Sequence, residues 1–225
     1  MAIVEYVVSN CSSSIIHPQW ILTAAHCVDL DVFETLTITF GSTHYIKPTG
    51  NSPNQVYSND YVLFREDATE TDAALIKLPQ PIPNAAPIPI LSASKDTKIQ
   101  ALKIYGFAGN TKEYPKAGTS QFGTLRWAKT ETSTTGDCLN WKSETKGCTN
   151  SSERMWNKGD SGGPVVAEIN GKVFQVGIAN TQNHDDNTFL PGGTFTWSGS
   201  VCEWIAKMTS NEVVCEKLEK GSGWA

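Results

Sequence analysis

The chain is made of short β-rich runs separated by turn clusters, a texture that points to an all-β fold. Ile15-Ile16, Trp20-Ile21-Leu22, Leu36 to Phe40, Val62-Leu63-Phe64, Ala74 to Leu78, Ile99 to Tyr105, Pro164 to Ala167 and Val173 to Ile178 each read as a strand. Asn170-Gly171, between the last two, is a two-residue hairpin signal, because both residues tolerate the positive φ of a type I′ turn. Pro79 to Pro89 carries five prolines and is expected to be an extended segment crossing between two halves of the molecule. Only two segments read as helical, a turn around Ala24 to Val28 and the stretch Ser200 to Ser210. In the second, Val201, Trp204, Ile205 and Met208 recur at helical spacing, which suggests a terminal helix packed on the second half.

With 225 residues, 39% of them hydrophobic, the chain can bury a substantial core. A net charge of −5 argues against a nucleic-acid or anionic-membrane partner. No uninterrupted apolar run approaches the roughly 20 residues that span a bilayer. The six cysteines, Cys11, Cys27, Cys138, Cys148, Cys202 and Cys215, fall into three sequential pairs with no C-x-x-C spacing. That pattern favours three disulfides over a zinc site, and hence an oxidising, extracellular compartment. The opening Met1 to Val8 lacks the features of a signal peptide, so a secretion signal is expected in a precursor. Asn10-Cys11-Ser12 and Asn150-Ser151-Ser152 match the glycosylation acceptor pattern. Neither a metal nor a cofactor is expected, and a monomer suffices.

Three separated segments carry the chemistry. Gly159-Asp160-Ser161-Gly162-Gly163-Pro164 can present one serine oxygen beside two unpaired backbone N–H groups. Upstream lie Leu22-Thr23-Ala24-Ala25-His26-Cys27 and Thr71-Asp72-Ala73-Ala74-Leu75-Ile76-Lys77-Leu78. A serine, a histidine and an aspartate can act as nucleophile, base and the group that orients the base. In order, spacing and local sequence these segments resemble the chymotrypsin/trypsin family of serine endopeptidases, over most of the chain from about Cys11 to Ile205.

That resemblance implies two six-stranded antiparallel β-barrels, approximately residues 1–85 and 86–198, then a C-terminal helix and tail at 199–225, as a single peptidase domain. It implies that Ser161 attacks the scissile carbonyl, that His26 takes its proton and that Asp72 holds the imidazole. The N–H groups of Gly159 and Ser161 would form the oxyanion hole. Cys11–Cys27 would clamp the loop bearing His26, and Cys138–Cys148 the approach to the specificity pocket. Cys202 and Cys215 then remain to tie the terminal helix to the tail. The implied partners are protein or peptide substrates and protein protease inhibitors, the latter adding a strand along Asn180 to Gln182.

The chain departs from the family pattern in three places. Family members begin, after cleavage, with an Ile-Val-Gly-Gly-like terminus whose ammonium is buried against the aspartate before the serine, here Asp160. Only ten residues precede Cys11, and Ile3-Val4 lies too close to it to substitute. In a chain starting at Met1, Asp160 is therefore expected to swing out or protonate and to misplace the Gly159 donor. In the pocket, Met155 falls near the specificity-setting position, flanked by Glu153 and Arg154, and Asn157 stands where a cysteine is usual. Asn180-Thr181-Gln182 replaces Ser-Trp-Gly, with Gln182 narrowing the entrance. A narrow, mostly apolar pocket taking small or aliphatic side chains, or one largely occluded, is expected rather than one for Lys or Arg, and Asp185 and Asp186 are the residues able to restore a basic preference. Finally, Tyr105-Gly106-Phe107-Ala108 and Ser12-Ser13 carry side chains where family members use glycine. The competing reading of the same residues is a non-catalytic homologue serving as a binding or regulatory module.

Overall fold

The computed structural model describes residues 1–6, 9–28, 36–45, 55–58, 62–65, 70–99, 101–108, 123–132, 144–150, 157–185 and 188–218. The first half contributes seven strands: β1 (Ala2–Tyr6), β2 (Ser9–His17), β3 (Trp20–Thr23), β4 (Leu36–Phe40), β5 (Gln55–Ser58), β6 (Val62–Arg65) and β7 (Ala74–Lys77). They form one antiparallel sheet in the order β5-β4-β1-β2-β3-β7-β6. The second half contributes β8 (Leu102–Gly106), β9 (Arg126–Thr132), β10 (Lys146–Asn150), β11 (Pro164–Ile169), β12 (Lys172–Asp185) and β13 (Thr188–Trp197). These close into a six-stranded barrel in the order β10-β13-β12-β11-β8-β9. The first half thus differs from the six-stranded barrel expected. It is a seven-stranded sheet whose edge strands, β5 and β6, do not pair with each other among the described residues.

Local chemistry explains several elements. Asn170 and Gly171 have φ of 51° and 76°, the paired positive values of a tight hairpin between β11 and β12. Ala25–Val28 forms one 3-10 turn that carries His26. The proline-rich segment after β7 forms no strand, and the chain beyond it touches the second half through isolated bridges, Ile90 to Gln175 and Leu91 to Glu216. Among the described residues, no helix is long and apolar enough to cross a membrane.

All four residues of β3 are buried, so the strand needs cover on both faces. Ile21, with Ile76 and Ala74 of β7, faces the interior of the first sheet beside Val4, Leu36 and Ile38. Trp20, Leu22 and Leu75 face the opposite way and pack with Val201 and Ile205. The terminal helix α1 (Cys202–Met208) therefore covers the first half's outward apolar face, with Ile178 of the barrel joining the same cluster. This corrects the expectation that the helix packs on the second barrel. The unbroken apolar run Trp20-Ile21-Leu22 is what demands the cover.

Two disulfides fix the ends of this arrangement. Cys11–Cys27 joins β2 to the turn bearing His26 across 16 residues, and Cys202–Cys215 ties α1 to the tail across 13. In the chain-entropy view, loops of that size are worth about 3 kcal/mol each. Cys148 is also disulfide-bonded, while Cys138 lies outside the described residues. Truncating Ile205 to Ala removes the centre of the helix contact. It is expected to lower the unfolding free energy by about 2–5 kcal/mol in urea denaturation. A loss below about 1 kcal/mol would contradict this placement of α1.

Candidate active site

Asp72 sits just before β7 with φ of 48°, a conformation uncommon for a residue bearing a side chain. The residue is only 4% exposed, so its carboxylate depends on donors from the protein. Three reach it. The backbone N–H of His26 donates to Oδ1 at 2.9 Å, and the His26 ring bonds Oδ2 through Nδ1 at 2.8 Å. The third donor is Nδ2 of Asn180, 2.9 Å from Oδ2, on a strand of the other half. Asn180 is itself buried, its Oδ1 lying 3.0 Å from the Thr196 hydroxyl, which also contacts the Thr71 carbonyl.

Because a carboxylate only accepts, Nδ1 must carry the proton in the neutral ring. That leaves Nε2 with a lone pair, on a side chain 43% exposed. Cys11, His26 and Cys27 place their sulfur and nitrogen atoms within 4.8 Å of one another, but the disulfide occupies both sulfurs. No thiolate remains there for a metal.

The serine loop is built from backbone contacts that only glycine allows. Gly162 has φ of 78°, and a Cβ there would lie 2.5 Å from the Ser12 carbonyl oxygen. Its N–H donates to the Ala179 carbonyl at 2.7 Å, and the Ala179 N–H returns a bond to the Gly163 carbonyl at 2.9 Å. The N–H groups of Gly159 and Ser161 make no hydrogen bond to any described residue. These two donors of the serine loop are thus without a partner among the described residues. The Ser161 hydroxyl donates to the Asn180 carbonyl at 2.9 Å, and no bond to His26 is present among the described residues.

Asp160 has not swung out. Its Oδ1 accepts the Ala108 N–H at 3.1 Å and its Oδ2 the Asn157 N–H at 2.9 Å. Gly106 makes room for it, since a Cβ there would fall 1.9 Å from Oδ1. Part of the residue reaches solvent, yet protein packs densely around the carboxyl and pushes its pKa up from 3.8 to about 6. The two N–H bonds and the Arg126 charge oppose that rise without cancelling it.

Of the residues expected to bind substrate, Asn180 turns its side chain inward onto Asp72, so only its backbone faces the cleft. Thr181 is exposed, and Gln182 lies on β12 opposite Gly193 of β13. The last pair between β12 and β11 is Ile178 with Pro164, so among the described residues no strand pairs with that edge of Asn180 to Gln182, and the Asn180 carbonyl there accepts the Ser161 hydroxyl. Met155, Glu153, Arg154 and Asp186 lie outside the described residues, and Asp185 is described in its strand backbone alone. Sequence reasoning missed the roles of Asn180 toward Asp72 and of Asn157 toward Asp160. For Asn180 the signal was a small amide where serine was expected; Asn157 acts through its backbone N–H, which leaves no mark in the sequence.

Residues 2–205 match the family model described as Trypsin. The chain belongs to the trypsin family. This trypsin-family chain is 26% identical over 237 residues to vitamin K-dependent protein C of Rattus norvegicus, covering 93% of the chain and 48% of that protein. To the same protein of Mus musculus it is 25% identical over 232 residues, with coverage of 93% and 48%. A trypsin of Simulium vittatum is 27% identical over 117 residues, 48% of the chain and 44% of that protein. The chain spans about half the length of these curated relatives.

The Asp160 carboxyl supplies a pH test. Its raised native value favours the protonated form, so its contribution to stability is complete below about pH 4 and is lost as pH rises through about 6. The carboxyl carbon resonance of Asp160 is expected to titrate with a midpoint near 6 in the folded protein. A midpoint at or below its ordinary 3.8 would contradict the packing described.

Proposed function

We propose that this chain is a secreted serine endopeptidase that hydrolyses peptide bonds through an acyl-enzyme. The observation that carries the reading is the 2.8 Å bond from His26 Nδ1 to buried Asp72, together with a serine loop whose Gly159 and Ser161 N–H groups have no partner among the described residues. In the proposed cycle, Ser161 Oγ attacks the scissile carbonyl while His26 Nε2 takes the hydroxyl proton. The carbonyl oxygen becomes an oxyanion between the N–H groups of Gly159 and Ser161. Collapse expels the amine, which receives the proton from His26 and leaves an ester on Ser161. Water then attacks the ester by the same proton path and releases the acid. Asp72 stabilises the imidazolium in each half and keeps Nδ1 protonated, with Asn180 holding the carboxylate.

Substrates are protein chains bound in extended form along that edge of Asn180 to Gln182, and protein inhibitors would use the same edge. Such a chain competes with the Ser161 hydroxyl for the Asn180 carbonyl, so its arrival frees the hydroxyl to turn toward His26. The disulfides fit secretion. The pocket reading stays with small or aliphatic side chains before the cut. One observation favours the non-catalytic reading: the nucleophile rests on Asn180 and not on His26.

Digestion of a proteome-derived peptide library, read by mass spectrometry, tests the proposal. Cleavage after small or aliphatic residues is expected, abolished in Ser161→Ala and slowed about 10⁴-fold in kcat by Asp72→Asn. Equal cleavage after Lys or Arg would overturn the pocket reading. An intact library would overturn the peptidase reading in favour of a binding module.

A further inference from the structure

Ser12 is fully buried on β2 and meets the serine loop from the opposite half of the molecule. Its N–H donates to the Ser161 carbonyl at 2.9 Å. Its hydroxyl donates to the Gly159 carbonyl at 2.8 Å and accepts the Phe107 N–H at 3.1 Å. Its own carbonyl accepts the Thr23 hydroxyl at 3.1 Å. Every polar atom of the residue is therefore engaged, and two of them grip the two ends of the Gly159 to Ser161 arch. The packing is as close as the bonding: a Cβ on Gly163 would lie 3.1 Å from Ser12 Cβ.

The arch needs such a restraint. Gly159 has φ of 112°, and a glycine explores alternative backbone conformations more readily than any other residue. Asp160 restrains the arch from one side, through the Ala108 and Asn157 N–H groups. Ser12 restrains it from the other, through Phe107, the neighbour of Ala108. The two braces share the segment 106–108 and close a ring of hydrogen bonds around the Gly159–Asp160 peptide. A glycine at position 12 could supply the backbone bond to Ser161 but not the hydroxyl bond to Gly159.

We propose that the Ser12 hydroxyl is a positioning residue that fixes the orientation of the Gly159 peptide, and with it the paired N–H groups of Gly159 and Ser161. The role rests on the peptidase reading above, in which those groups receive the oxyanion. It is specific to the hydroxyl, since the neighbouring Ser13 is equally buried but spends its hydroxyl on the Ala2 carbonyl within the first half.

The test compares Ser12→Ala with Ser13→Ala, which each remove one buried hydroxyl from the same strand. The readout is the second-order rate of Ser161 phosphonylation by an alkyl fluorophosphonate, at a temperature where both variants are folded by circular dichroism. Ser12→Ala is expected to react about tenfold more slowly or worse, because the reagent's phosphoryl oxygen uses the same two donors. Ser13→Ala is expected to stay within about twofold of the parent. Equal rates in the parent and both variants would overturn the proposal. If the parent takes no label, the peptidase reading fails instead, and amide spectra still decide the brace. The Gly159 and Ser161 cross-peaks then shift in Ser12→Ala and not in Ser13→Ala, and unmoved peaks overturn it. Should Ser12→Ala not fold, hydrogen exchange in the parent decides: a Phe107 amide exchanging at unprotected rates overturns the bond on which the proposal stands.

Discussion

A carboxylate removed from water has to be surrounded by donors, and Asp72 draws its donors from both halves of the molecule. His26 supplies two from the 3-10 turn of the first half, and Asn180 supplies one from β12 of the barrel. Removing any of them leaves a buried charge underpaired, which costs more than an ordinary hydrogen bond contributes. The bond network therefore does two things at once. It locks the proton of the neutral His26 ring onto Nδ1, and it ties the first sheet to the barrel through Asn180, whose carbonyl accepts the Ser161 hydroxyl. The disulfide from Cys11 to Cys27 holds the His26 turn on the same strand that supports the serine loop.

The serine loop depends on that same seam. It is anchored to β12 through Ala179 and to β2 through Ser12, so each half carries one side of it. Glycine is required at 162 and 163 because a Cβ there would run into the Ser12 and Tyr105 carbonyl oxygens, with the Thr23 hydroxyl closer still to the first. The outcome is an arch in which, among the described residues, only the N–H groups of Gly159 and Ser161 are donors without a partner. Asp160 sits inside the arch with each carboxyl oxygen accepting one N–H, while burial pushes its pKa up to about 6.

What could be read from the sequence was what local chemistry determines. The Asn170-Gly171 turn, the strands around Trp20-Ile21-Leu22 and Ala74 to Lys77, the 3-10 turn at His26 and the terminal helix all appear where their residues placed them. The residues His26, Asp72 and Ser161 were legible because each lies in a distinctive local run. Strands β9 and β10 escaped notice because their polar residues carry no clear alternation; most of β9 is exposed, and barrel closure holds them. The side chosen by α1 was misjudged for a related reason, since helical spacing identifies an apolar face but not the surface that receives it. The bond from the Asn180 side chain to Asp72 was not legible because the two residues are 108 apart in the chain. Ser12 was recognised only as an unusual residue, as its partner at Gly159 is 147 residues distant.

The account stands or falls on Asp72 dictating the tautomer of His26. Nitrogen-15 NMR of the histidine-labelled protein, above the pH at which the ring deprotonates, measures this directly. The account predicts a single His26 tautomer with a protonated Nδ1 and a bare Nε2, lost when Asp72 is replaced by Asn. A ring protonated on Nε2, or one averaging freely between the two tautomers in the unmodified protein, would contradict it.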